Sequence, residues 1–281
     1  MNRRPFLQTL ATGGVLASAG CVDSLPIART GPDASEVFEN DWYDETDLVV
    51  QFRDDIDVQQ VSLFDPSTDE MYETIEQPSN PVRFPVVFPD RLETYVSDSL
   101  RVEAGTSEGV VDKRVWGPVH AATSSVEPLR DGRARFDIEN QATAPLLVRF
   151  VGIYGDVPNP TIDPQRDSFD RSAFDFAPGV VGIGDNRPLS PSRTDLVVPP
   201  AETKSFETTY APFAFPEGAG SDDCAGDKRT GTIAVVHASG GSAAYSFTYR
   251  LEGEPTPLEG QEPAAVCDGP RSDGSREGIN Q

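Results

Sequence analysis

The chain has 281 residues, with 46 acidic and 23 basic side chains and a formal net charge of −23. Such a charge excludes nucleic acid as a partner, because nucleic-acid binding requires a basic surface. It also excludes attachment to a membrane through a basic amphipathic helix. With only two histidines and three cysteines, the chain offers little material for a zinc site or for imidazole catalysis.

The first twenty residues have the pattern of an export signal. Four residues carry the twin-arginine part of that pattern: Arg3, Arg4, Phe6 and Leu7. A mildly apolar run over residues 10–19 follows, too short to span a membrane, and small residues then precede Cys21. The whole resembles the signal of a twin-arginine-exported lipoprotein. The resemblance implies a lipid on Cys21 that holds the mature chain on the outer face of the cell membrane; a signal cleaved without lipidation is the alternative.

The composition also indicates an unusual solvent. Lysine supplies only three of the 23 basic residues, and removal of residues 1–20 takes away two arginines and no acid, which lowers the net charge to −25. Such a surface repels itself in dilute buffer, whereas molar salt shortens the screening length to about 3 Å. Acidity, scarce lysine and a twin-arginine leader together resemble the proteins of halophilic archaea.

Residues 21–45 are rich in proline, serine and acidic residues, which predicts a flexible tether. Short alternating apolar segments separated by turn residues then predict an all-β fold, beginning with a small sandwich over residues 46–118. The strands predicted in this part are 47–53, 58–64, 82–88, 99–104 and 110–116.

A second set of strands predicts another sandwich over residues 119–267. These strands are predicted at 132–139, 146–154, 195–198, 203–210, 230–238 and 243–251. Two phrases, Phe136–Val148 and Val198–Lys204, resemble the immunoglobulin-like modules of archaeal surface proteins. The resemblance implies one or two immunoglobulin-like β-sandwiches and no particular activity. Residues 268–281 are predicted to be a disordered tail.

A long insertion over residues 155–193 interrupts the second set of strands. A loop of this length is commonly functional or disordered. Its aspartates make a weak calcium site, with Asp163, Asp167 and Asp170 as candidates, although a solvated acidic face explains them better. Its aromatic residues are candidates for recognition: Phe169, Phe174 and Phe176. The alternative is that these rings pack onto the second sandwich and cover an edge of it.

With Cys21 assigned to the lipid, Cys224 and Cys267 remain, and outside the cell such a pair predicts a disulfide; two free buried thiols are the alternative. His237 lies in an apolar strand and is interpreted as a sheet residue instead of a catalytic base. Apart from the weak calcium candidates, no catalytic residue, metal ligand set or cofactor is predicted.

The leading hypothesis is a non-enzymatic, lipid-anchored surface protein that binds a surface protein or a glycan, or that builds the cell envelope. A secreted carbohydrate-active hydrolase with paired carboxylates is the first alternative. A ligand-binding lipoprotein of a transporter is the second, and the absence of predicted βα units argues against it.

Overall fold

The fold was obtained as a computed structural model that describes residues 32–91, 93–95, 99–161, 163 and 196–278. The helical elements with bounds inside these ranges are α1 (Ala34–Val37) and a 3-10 turn at Pro89–Arg91. Nearly everything else with regular structure is strand, which confirms the predicted all-β class.

The N-terminal half forms two antiparallel sheets. Its strands are β1 (Phe38–Asp44), β2 (Asp47–Phe52), β3 (Val58–Phe64), β4 (Met71–Glu76), β5 (Val82–Pro85), β6 (Val87–Phe88), β7 (Glu93–Thr94), β8 (Ser99–Thr106) and β9 (Gly109–Trp116). One sheet has the order β1-β2-β5 and the other the order β4-β3-β8-β9, and β6 pairs with β7 in a short ribbon. Alternate residues of the strands are buried, as in β8, so both sheets direct an apolar face inward.

The C-terminal half also forms two antiparallel sheets. Its strands are β10 (Ala121–Pro128), β11 (Ala134–Asn140), β12 (Leu146–Gly155), β13 (Val197–Val198), β14 (Thr203–Glu207), β15 (Ala225–His237), β16 (Ser242–Glu252), β17 (Pro255–Pro257), β18 (Ala265–Cys267) and β19 (Arg271–Gly278). The sheet orders are β10-β11-β14 and β13-β12-β15-β16-β19, with β17 and β18 as a separate ribbon.

The two halves share one strand order. Without the β6–β7 ribbon, each half places its first, second and fifth strands in one sheet. Each half places its remaining four strands in the second sheet, in the order fourth, third, sixth, seventh. In the C-terminal half, β19 adds a fifth strand to this second sheet. Most buried apolar residues of both halves belong to one continuous cluster.

Part of the predicted tether over residues 21–45 is folded, so that prediction is wrong for its second half. Strand β1 pairs with β2 from Phe38 to Asp44, and the Phe38 side chain is buried in the core. The sequence of β1 resembles that of a linker because acidic residues lie between its apolar residues. Pairing with β2 and burial of Phe38 hold it in the sheet.

The predicted disordered tail over residues 268–281 is wrong for residues 271–278, because β19 pairs with β16, and residues 279–281 lie outside the described residues. Ion pairs secure this pairing: Arg250 Nε lies 2.9 Å from a carboxylate oxygen of Asp273, and Arg271 lies 2.6 Å from Glu252. A strand that is held mainly by ion pairs does not show the alternation of apolar and polar residues by which a strand is recognised in a sequence.

Candidate functional site

A pocket lies where the chain passes from β9 into β10. Its volume is about 460 Å³, and it is lined by residues 119–121 on one side and by the tip of the β15–β16 hairpin on the other. Both histidines of the chain, His120 and His237, line this pocket together with Ser239 and Ser242. Sequence reasoning placed His237 in a strand but had no signal that His120 lies at the same pocket, because the pairing arises only in the tertiary structure.

The hairpin fixes the position of the His237 ring. Its Nδ1 atom lies 2.5 Å from the hydroxyl oxygen of Ser239, two residues away. A methyl group at Gly241 would lie 2.5 Å from Cε1 and 2.6 Å from Nε2 of the same ring. Gly241 therefore has a second role besides its place in the hairpin, because only a glycine at this position leaves space for the imidazole.

The opposite wall of the pocket is fixed through its backbone. The carbonyl of His120 accepts a hydrogen bond from the Gln141 amide at 3.0 Å. The carbonyl of Ala121 accepts one from the Tyr245 hydroxyl at 2.9 Å. The His120 side chain is exposed on this fixed backbone. Two imidazoles and two hydroxyls suit a small polar ligand. Among the residues that the structure describes, no group of three histidine, cysteine or acidic side chains has the arrangement of a metal site.

The insertion predicted over residues 155–193 begins as a packed segment. Val157 and Thr161 are both buried. The Asn159 amide donates to the Pro212 carbonyl at 3.0 Å, and its side-chain nitrogen donates to the Ala211 carbonyl at 3.1 Å. This part of the insertion is therefore attached to the 210–212 loop.

One predicted calcium ligand, Asp163, lies within the described residues. Burial raises the pKa of the Tyr154 hydroxyl. The charge of Asp163 and the hydrogen bond that its carboxylate accepts from this hydroxyl raise the pKa further.

The other candidates lie outside the described residues, namely Asp167 and Asp170 for calcium, and Phe169, Phe174 and Phe176 for recognition. The export and lipidation residues also lie outside them: Arg3, Arg4, Phe6, Leu7 and Cys21. Within the described ranges, no helix has the length and apolar character needed to cross a membrane.

The structure brings Cys224 and Cys267 together, as predicted. Their sulfur atoms are 1.98 Å apart and their Cα atoms 5.5 Å apart. Both are buried. The bond joins the loop before β15 to β18 and so attaches the chain segment after β16 to the sheet.

An aromatic cluster closes one side of the N-terminal half. The rings of Tyr72 and Tyr95 stack in parallel with their centroids 4.2 Å apart, and Phe88 meets Tyr95 at 4.8 Å. The guanidinium of Arg91 lies 4.2 Å from the centre of the Phe88 ring. Burial, followed by a hydrogen bond to Asp65, raises the pKa of Tyr72 to about 12. These rings contact one another, which indicates a structural cluster.

The outer face of the β4-β3-β8-β9 sheet carries exposed apolar side chains. Val110 and Trp116 of β9 are 70% and 65% exposed, and Met71 of β4 is 57% exposed. On the same face, the Arg101 guanidinium lies 4.7 Å from the centre of the Phe64 ring. Asp112 and Arg114 lie between Val110 and Trp116 on β9, and exposed apolar side chains separated in this way are common on protein surfaces.

The outer face of the β10-β11-β14 sheet is charged instead. Arg133 and Arg135 lie 3.0 and 2.8 Å from the Glu207 carboxylate, and Arg133 also lies 2.6 Å from Asp131. Phe136 and Ile138 face inward and are fully buried. The predicted alternation of β11 is thus confirmed, and its polar face is an ion-pair network.

No protein-family model matches this sequence, and a search of curated proteins found no match. The function of the chain must therefore be inferred from its own residues and fold.

Proposed function

We propose that the chain is a non-enzymatic lipoprotein on the outer face of the membrane of a halophilic archaeon. In this proposal it consists of tandem immunoglobulin-like sandwiches that present a binding surface to a surface protein or a glycan. The strand order common to both halves is the observation that carries the proposal.

The strand order supports the immunoglobulin-like assignment in the following way. Immunoglobulin-type sandwiches place strands A, B and E in one sheet and strands C, F and G in the other. Both halves follow this rule when their seven main strands are lettered in chain order. The fourth strand joins the third in each half, instead of joining the A-B-E sheet. Two halves with the same arrangement favour tandem modules of one type, and such modules serve many proteins as scaffolds for binding loops.

The N-terminal pattern and the charge support the location. The arginine pair and the charge-free run before Cys21 favour export and lipidation. Because the chain is strongly acidic, the lipid would have to provide the membrane attachment. The disulfide between Cys224 and Cys267 suits an oxidising compartment outside the cytoplasm.

For the binding surface, we propose the insertion over residues 155–193. Loops at the ends of sandwich strands commonly carry recognition. The described start of this insertion is fixed by Asn159 and Thr161, whose hydrogen bonds to Pro212, Ala211 and Ile153 give the loop a rigid base. Three aromatic residues further along are the proposed contacts: Phe169, Phe174 and Phe176.

Fractionation of cells that express full-length protein tests the anchor. We expect the wild-type chain in the membrane fraction and the Cys21→Ser variant in the soluble extracytoplasmic fraction. The Cys224→Ser/Cys267→Ser variant is the matched control and should remain with the membrane. If Cys21→Ser protein stays in the membrane fraction, the lipid is not the anchor.

Capture from solubilised membranes in molar salt tests the binding surface. A variant with all three phenylalanines changed to serine should keep its melting temperature and lose the partner that mass spectrometry identifies for the wild type. A large loss of stability would instead show that the rings are packed, since each buried phenylalanine contributes about 3–5 kcal/mol. Release of sugar from a polysaccharide by the purified protein would contradict the non-enzymatic proposal.

A further inference from the structure

Strand β9 lies at the edge of its sheet. It pairs with β8 along all eight residues without a register shift, and no other described strand pairs with its second side. Helix α1 approaches β9, but in the described part of the chain no turn or loop backbone group is hydrogen-bonded to it. Alternate N–H and C=O groups of an edge strand point away from its neighbour. These groups of β9 are therefore available for pairing with another strand.

The side chains of β9 also favour pairing. Val110 and Trp116, near its two ends, are among the four most exposed large apolar residues of the described chain. The strand contains no proline and no bulge. A long, regular edge strand with exposed apolar residues has the properties of a pairing template.

The sequence of β9 is complementary to itself in one antiparallel register. With two copies centred on Lys113, Asp112 of each strand lies opposite Arg114 of the other. In the same register Val110 lies opposite Trp116, and Val111 opposite Val115. Opposite charges and apolar pairs directly across antiparallel strands are stabilising.

The geometry of the strand agrees with this register. Residues 110, 112, 114 and 116 are exposed, while Val111 and Val115 are buried. Opposed residues of an antiparallel pair lie on the same face of a sheet. The register therefore places exposed residues opposite exposed residues and buried ones opposite buried ones. It also aligns the outward backbone groups of the two strands, because even-numbered residues meet even-numbered residues.

Lys113 is the one position where like charges meet. Each Lys113 amino group is paired with Asp41 of its own chain and lies 5.9 Å from the centre of the Phe38 ring. Its charge is thus compensated within each copy. Arg114, in contrast, has no ion-pair partner in its own chain among the described residues, and the register supplies one.

We propose that two copies of this chain associate through antiparallel pairing of their β9 strands, so that two four-stranded sheets become one eight-stranded sheet. The two-fold axis passes between the two Lys113 residues. Because each copy carries a net charge of −23, or −25 after removal of residues 1–20, association requires salt that screens the repulsion between copies.

Charge reversal in β9 tests the register. Sedimentation equilibrium of the mature chain carrying Cys21→Ser would be measured at the lowest salt concentration at which the chain with otherwise wild-type sequence is folded and dimeric. Asp112→Arg or Arg114→Asp places like charges opposite each other at both symmetric positions, and each should raise the dimer dissociation constant at least tenfold. The double variant Asp112→Arg/Arg114→Asp exchanges the two charges and should restore the wild-type constant. An equimolar mixture of the two single variants should form heterodimers.

Two further variants complete the experiment. Glu76→Arg, a reversal at the opposite edge strand β4, is the matched control and should leave the dissociation constant unchanged. Trp116→Ser should weaken the dimer at least tenfold even in molar salt, where charges are screened. Melting temperatures report whether each variant is folded. A wild-type chain that remains monomeric at all concentrations, or a double variant that does not recover the dimer, would overturn the proposal.

Discussion

At the scale of single residues, Gly231 shows that close packing can require a glycine inside a strand, although glycine has a low propensity for β-strands. It lies in β15 directly opposite Phe247 of β16. A methyl group at this position would overlap Cζ of Phe247 and lie 2.9 Å from Cε1 of the same ring. The Phe247 ring is buried and contacts Phe213 and Tyr249, with centroids 6.3 and 5.7 Å away. A glycine inside a strand costs about 0.5–1 kcal/mol, and here it provides the space in which the aromatic ring crosses the backbone.

We therefore expect Gly231→Ala to lower the free energy of unfolding by about 1–3 kcal/mol, the usual effect of overpacking a core. Gly105 in β8 is a suitable control, because its added methyl would have no neighbour closer than 3.7 Å. Gly105→Ala should be neutral or slightly stabilising. Denaturant unfolding in molar salt measures both, and equal destabilisation of the two variants would contradict the explanation.

At the scale of secondary-structure elements, apolar alternation decided which strands could be predicted from the sequence. Strands β8, β11 and β16 alternate apolar and polar residues, β12 is a nearly continuous apolar run, and each lies close to its predicted range. Strands β1, β4, β10 and β19 are not predicted, because small or polar residues make up much of each strand and contacts with neighbouring strands hold them in place. The ion pair between Arg250 and Asp273 is one example of such a non-local contact.

The candidate sites were less predictable for the same reason. The disulfide followed from counting cysteines, because only two remained after Cys21 was assigned to the lipid. The meeting of His120 and His237 depends on how the β9–β10 connection lies against the β15–β16 hairpin, and no local pattern encodes it. The edge position of β9 likewise depends on the order of strands in its sheet.

The disulfide should be the largest single contribution to the stability of the C-terminal ribbon. Cys224 and Cys267 are 43 residues apart. The chain-entropy treatment of a loop of this length gives about 4 kcal/mol. In a Cys21→Ser background, Cys224→Ser/Cys267→Ser should lower the free energy of unfolding by that amount. A reducing agent should destabilise the parent protein and leave the double variant unchanged; free thiols in the unfolded, unreduced parent would contradict the prediction.

At the scale of the whole molecule, acidic residues outnumber basic ones two to one. Local networks, such as the one around Glu207, compensate only part of this excess. The remaining repulsion opposes the folded state, and salt relieves it. We expect the melting temperature to rise steeply from low to molar potassium chloride. Sucrose, which stabilises proteins without screening charge, is the control and should have a much smaller effect. A melting temperature that does not change with salt would contradict the halophilic assignment.

The described folded structure begins soon after Cys21, which limits how far from the membrane its first strands can lie. Within the described residues, regular structure begins at Ala34, and β1 is already part of the N-terminal sheet. If Cys21 holds the lipid, the connection to Asp33 spans at most about 40 Å when fully extended, about half the reach of a tether ending at residue 45. Under the lipoprotein proposal, the start of the N-terminal sheet would then stay within about that distance of the bilayer surface. Partners that bind near this end would be anchored in the membrane or approach close to it.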